Sequence, residues 1–222
     1  MSYEPNDPLN NASKEQVQIL GPSDYITSAW SGGTTTELAS YPFGADFSSR
    51  QFLWRVSIAT VGKDGTFTPF ENIKRILMVL KGGIYLRHEG EHECSLLPFE
   101  QDTFSGNFRT FAKIQQGVGA TNLNLMLKEA AEGEMLHIAL GSGLSHQYAW
   151  AHNLACGQAV DLLYNVDGEL RIRYSNSTQE FYIHPGESFL YSRKSIDGDG
   201  EISIYNTGNA LANIVAVRIL YA

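Results

Sequence analysis

Apolar and polar residues alternate with a period of two through most of the chain, whereas the three-and-four spacing of an amphipathic helix hardly appears. The clearest run is FLWRVSIATV, residues 52–61, in which Trp54, Val56 and Ile58 share one face and Arg55, Ser57 and Ala59 the other. One face is apolar and the other carries an arginine. A second block, Arg75 to His88, breaks at Lys81-Gly82-Gly83, where glycine permits a tight reversal, so it reads as a hairpin. Further strands are predicted at 17–20, 36–42, 110–115 and 123–128, then at 136–141, 159–174, 180–193 and 201–222. The pair Asp167-Gly168 between two alternating runs is a second hairpin signal.

Many short strands with frequent turns predict an all-β sandwich or barrel. The charged, alanine-containing stretch 128–135 reads as a linker or one helical turn and divides the pattern into two strand-rich halves. The expected organisation is a polar segment over 1–16, a first barrel over 17–128 and a second over 129–222. At 222 residues with 43% hydrophobic and 18% charged content, the chain can bury a core.

A net charge of −8, with no local run of Lys and Arg, argues against nucleic acid as a partner. The first sixteen residues lack the basic start and apolar run of a secretory signal, and no segment approaches the apolar length of a membrane span. A cytoplasmic location without membrane association is expected. Cys94 and Cys156 form no CxxC pair or Cys/His motif and are read as free thiols.

Several segments in order, WSGGTTTELA (30–39), FLWRVSIATV (52–61), FTPF (67–70), Arg75 before an apolar strand, and LLPFEQDTFSG (96–106), resemble the HutD/Ves family. The resemblance is strong over residues 17–128. It implies a bicupin, two jelly-roll-like barrels in one chain, and a link to histidine utilisation, with a regulatory role in sensing a metabolite. The family's WKNGGG is shortened here to Trp30-Ser31-Gly32-Gly33, and its DFNLM reads Asn122-Leu123-Asn124-Leu125-Met126.

Many cupins hold a metal through His-x-His. Here His88 stands six residues after Gly82, but Gly90 occupies the second histidine's place. His88 and His92, four apart on strand or loop, are expected to point to one side without converging on an ion, so no metal or other cofactor is predicted. His137, His146, His152 and His184 are scattered and read as surface or satisfied core residues.

Arg55 is the most informative side chain, because a guanidinium in an apolar strand needs an anionic partner. That partner is either Glu37, in an internal salt bridge, or a ligand carboxylate. Trp54 and Phe104 are either pocket walls or core. The predicted ligand-binding set is Trp30, Thr36, Glu37, Arg55, Ser57, Arg75 and Asn124. No Ser/His/Asp order or activated cysteine appears. The expected function is a metal-independent small-molecule binding or regulatory protein whose ligand is a carboxylate. The alternatives are a metal-independent enzyme acting on a small carboxylate or sugar, and an interaction module whose second barrel mediates homodimerisation.

Overall fold

A computed structural model of the chain describes residues 15–45, 50–115, 117, 119–150, 157–174, 177–194 and 200–221. Among these residues there are nineteen strands and no helix. Among the described residues no helix is long and apolar enough to cross a membrane. The chain divides into a unit of residues 25–133 and a unit of residues 134–222 joined by the N-terminal segment up to Asp24.

The unit of residues 25–133 contains β2 (Ile26–Trp30), β3 (Gly33–Tyr41), β4 (Trp54–Val61), β5 (Gly65–Thr66), β6 (Ile73–Lys81), β7 (Ile84–His88), β8 (Glu93–Leu96), β9 (Gln101–Ser105), β10 (Thr110–Ile114) and β11 (Ala120–Lys128). They form a six-stranded sheet, β2-β3-β4-β11-β6-β9, and a four-stranded sheet, β5-β10-β7-β8. All the pairings are antiparallel. Val61, Leu77, Val79, Phe104 and Ala120 of the larger sheet pack with Ile84, Leu86, Leu96 and Ala112 of the smaller one as the core. Period-two alternation and the register put Arg55, Ser57, Arg75 and Asn124 on the same face as the core residue Leu77, so this face is inward. A smaller cluster of Phe52, Phe70, Ile73 and Met126 lies beside it.

The other unit contains β1 (Glu15–Leu20), β12 (Ala131–Leu140), β13 (Ser145–Trp150), β14 (Gln158–Asp167), β15 (Leu170–Tyr174), β16 (Phe181–Ile183), β17 (Ser188–Lys194), β18 (Gly200–Asn206) and β19 (Ala212–Tyr221). Its sheets run β1-β17-β14-β19-β12 and β13-β18-β15-β16. The strand order β4-β11-β6-β9 with β5-β10-β7-β8 recurs as β12-β19-β14-β17 with β13-β18-β15-β16. The duplication expected from pattern is therefore visible as repeated topology.

Three sequence expectations need correction. Neither glycine signal closes a hairpin: β6 and β7 lie in different sheets, as do β14 and β15. Gly82 (φ +77°) and Gly168 (φ +103°) instead turn the chain from the large sheet of each unit into the small one. The strand at 17–20, expected in the first barrel, pairs with β17 in the other unit, where Val17 packs on the core. The stretch 128–135 holds no helical turn, only a two-residue break between β11 and β12.

Candidate functional site

The inward face of the six-stranded sheet carries a cavity of about 290 Å³ within the unit of residues 25–133. Strand β4 contributes Arg55, Ser57 and Ala59, the face read from its alternation, and β11 contributes Asn122, Asn124 and Met126. Arg75 comes from β6, Thr35 from β3, Ser28, Ala29 and Trp30 from β2, and Phe67, Thr68 and Phe70 from the segment after β5. Of the predicted site residues, Trp30, Arg55, Ser57, Arg75 and Asn124 line the cavity.

Thr36 and Glu37 do not line it. Thr36 pairs with Ile58 on the opposite face and its hydroxyl meets that of Thr27 at 2.9 Å. Its neighbour Thr35, opposite Ala59, takes the inward place. Glu37 shares the inward face without reaching the cavity and accepts hydrogen bonds from Arg55 Nε at 2.5 Å and Ser40 Oγ at 2.8 Å. Arg55 also donates from Nη1 to Ser57 Oγ at 3.0 Å. The internal salt bridge posed as one reading of Arg55 is thus formed, with both side chains largely buried. Trp54 is fully buried on the other face, stacked on Tyr41, and walls no part of the cavity.

Arg75 stands differently. It is 6% exposed, and its Nη2 donates to Asn124 Oδ1 at 3.2 Å, while Nε has no hydrogen-bond partner. Among the described residues no carboxylate forms an ion pair with it. Its guanidinium carbon lies 5.0 Å from the ring centre of Phe104, 5.4 Å from Phe67 and 5.7 Å from Phe70. Burial, and then the nearby charge of Arg55, push its pKa down to about 10. Asn122 adds a second unsatisfied buried donor, Nδ2, in the cavity wall. The buried charges of the other unit contrast with this: Asp161 pairs with Arg193 and, at 2.8 Å, with Arg218.

A second cluster corrects an expectation. His88 and His92 do converge, with ring centres 4.6 Å apart, because Gly90 (φ +80°) turns the chain back and His88 N–H donates to His92 O at 2.9 Å. Asp102 faces both, 2.8 Å from His88 Nε2 and 3.1 Å from His92 Nε2. Burial pushes the Asp102 carboxyl up, but hydrogen bonds from His92 and His88 outweigh it and leave its pKa lowered. Burial lowers that of His88 against the pull of Asp102. Cys94 is a free thiol, and burial, followed by the charge of Asp102, pushes its pKa up to about 12. Cys156 and His152 lie outside the described residues. His137 meets Asn213 Oδ1 at 2.9 Å, half-buried, and His184 meets Glu169 on the surface, in line with the reading of scattered histidines.

The predicted ligand-binding set left out the cavity residues Thr35, Asn122, Phe67 and Phe70. Asn122 carried a signal, since it stands two residues from Asn124 on one strand and so shares its face. The aromatic pair sits in a segment with no period to read.

The HutD family model matches residues 22–211. An uncharacterized protein of the hutC 3′ region of Pseudomonas putida is 36% identical over 104 residues, 46% of this chain and 54% of that protein. The chain thus spans about half the length of that curated relative. A conserved protein of unknown function from Pseudomonas aeruginosa superposes with a TM-score of 0.76 at 22% identity, over 92% of this chain and 98% of that one. HutD from Pseudomonas fluorescens, solved in a formate condition, gives 0.64 at 18% identity, over 91% and 98%. Oxalate decarboxylase from Lactobacillus farciminis, in a formate complex, gives 0.61 at 9% identity, over 90% and 85%. These likenesses establish the all-β, cupin-like fold.

Proposed function

The chain belongs to the HutD family, and from that premise we propose that the cavity of residues 25–133 binds a small carboxylate, making this a metabolite-binding or regulatory protein. The observation that carries this reading is Arg75: a buried cation without a carboxylate partner and with an unsatisfied Nε, in a cavity whose wall also holds the unsatisfied Asn122 amide. An uncompensated buried charge is costly, and a planar two-oxygen anion accepting from Nε and Nδ2 offsets that cost. The volume of about 290 Å³ is at the small end for ligand sites, and the walls of Trp30, Phe67 and Phe70 favour an acid with an apolar or aromatic body. Arg55 acts as the second charge of the site, held in place by Glu37 and Ser57. The ligand is gripped by guanidinium and amide groups, without a metal in the cavity. A formate complex of one protein of this fold, and a formate condition for the structure of another, are compatible with such a ligand.

Calorimetry with formate, urocanate and formylglutamate tests the reading; the last two are suggested by the histidine-utilisation link that the family carries. At least one acid is expected to bind the wild type and raise its melting temperature. Arg75→Met is expected to abolish binding while keeping or raising the melting temperature, because an apolar chain replaces an unpaired buried charge. Recovery of the ligand unchanged marks a binding protein, and its consumption marks the enzymatic alternative. Equal carboxylate affinity in wild type and Arg75→Met would refute the assignment.

A further inference from the structure

A second cluster in the unit of residues 25–133 has a composition that the carboxylate cavity does not use. His88 ends β7, His92 follows the turn at Gly90, Cys94 lies on β8 and Asp102 on β9. One ligating atom from each lies within 4.8 Å of every other. Two imidazoles, a thiol and a carboxylate form an N₂SO donor set, which suits a tetrahedral borderline-soft ion and leaves zinc(II) neutral once the thiol is a thiolate. A thiol is a weak hydrogen-bond donor but a strong metal ligand, so its place among better hydrogen-bonding groups is explained by coordination rather than by the network alone.

The surroundings match those of a built site. His88 is fully buried in its side chain, and its far nitrogen, Nδ1, meets the buried hydroxyl of Thr110 at 2.8 Å. In the metal-free state His88 Nε2–H donates to Asp102; with the proton moved to Nδ1 and donated to the Thr110 hydroxyl, Nε2 gives its lone pair to an ion instead, the arrangement a metal-bound histidine needs. His92 is 45% exposed in its side chain and leaves an entry path from solvent. The cluster is separate from the carboxylate cavity: Phe104 stands between, its ring centre 4.4 Å from that of His88 and 5.0 Å from the Arg75 guanidinium.

We propose that His88, His92, Cys94 and Asp102 form a structural zinc(II) site that clips the edges of the two sheets in the unit of residues 25–133. Strand β8 is the edge of the four-stranded sheet and β9 the edge of the six-stranded one, and they are consecutive in the chain. Four protein ligands close the coordination sphere, so the ion stabilises rather than catalyses. Loading transfers one proton, that of the Cys94 thiol, to solvent.

The full-length protein is stripped with a chelator and titrated with zinc sulfate, and in parallel with cobalt(II) chloride. One equivalent per chain is expected to bind, raising the melting temperature. Cobalt is expected to show tetrahedral d–d bands and a near-ultraviolet thiolate-to-cobalt band. Cys94→Ser removes the thiolate band, and His92→Ala, at an exposed position that leaves the fold intact, weakens zinc binding by more than about tenfold. Thr110→Val weakens it by about 10–100-fold through loss of the hydrogen bond that orients His88. Arg75→Met leaves the cobalt spectrum unchanged. Absence of stoichiometric binding, a cobalt complex without the thiolate band, or full affinity in both Cys94→Ser and His92→Ala overturns the proposal.

Discussion

Arg55 and Arg75 share one face of one sheet, yet their surroundings assign them different work. Arg55 has Glu37 and Ser57, so it contributes to the fold; Arg75 has Asn124 and three aromatic rings but no anion. Removing one member of a buried pair strands the other, at a cost of about 3–5 kcal/mol. Glu37→Gln and Arg55→Met are therefore expected to lower the melting temperature markedly, in contrast to Arg75→Met. Scanning calorimetry of the three variants decides this, and a fully stable Glu37→Gln would remove Glu37 from its structural role. A second residue-scale effect concerns alkaline pH. Burial raises the pKa of Tyr164, and burial with the charge of Asp161 raises that of Tyr148. The unfolded chain loses these phenolic protons near pH 10, while the folded chain keeps them longer, so stability present below pH 10 is lost as the pH rises beyond it. Denaturant unfolding across that range should show the decline, with a shallower slope in Tyr164→Phe.

At the scale of the element, one extra residue sets the Arg55 pair. The β3–β4 register shifts between Glu37 and Ala39, placing Leu38 as a bulge. Without it, Glu37 and Ser40 would point to opposite faces; with it both face inward, and Ser40 Oγ reaches Glu37 Oε1. The Trp30-Ser31-Gly32-Gly33 turn has its own steric reason. A Cβ on Gly33 would lie 1.8 Å from the carbonyl oxygen of Thr60 and one on Gly32 would lie 2.0 Å from the Trp30 ring. Gly33→Ala is expected to push β3 away from β4 at a cost of about 1–3 kcal/mol. It should also weaken carboxylate binding, because Trp30, at 6.4 Å from Phe67 in a T-shaped pair, loses its seat. Calorimetric titration of that variant tests this; unchanged affinity would show that the turn does not shape the cavity.

At the scale of the whole molecule, the two units repeat one topology, and the chain crosses between them twice. Strand β1 completes the sheet of the unit it does not adjoin in sequence, its Ile19 and Leu20 opposite Phe189 and Ser188. Deleting residues 1–20 leaves β17 as an uncovered edge. Amide exchange over Ser188–Lys194 should accelerate and the stability of that unit fall, while carboxylate binding in the other persists. Unchanged protection at β17 would show that β1 contributes nothing.

The sequence by itself determined the all-β class, most strand positions and the shared face of Arg55, Ser57 and Ala59, because side-chain alternation is a local property of extended backbone. It also placed the ordered motifs that resemble the family. The tertiary structure alone decided which strands share a sheet, so the turns at Gly82 and Gly168 became corners between sheets. It decided that Thr35 rather than Thr36 faces the cavity and that Glu37 meets Arg55 across a bulge. It also brought His88 and His92 together: four residues of straight strand span about 13 Å, but the turn at Gly90 folds them onto one carboxylate from a distant strand. Each of these outcomes depends on turns, bulges and pairings between remote segments, for which a local period carries no information.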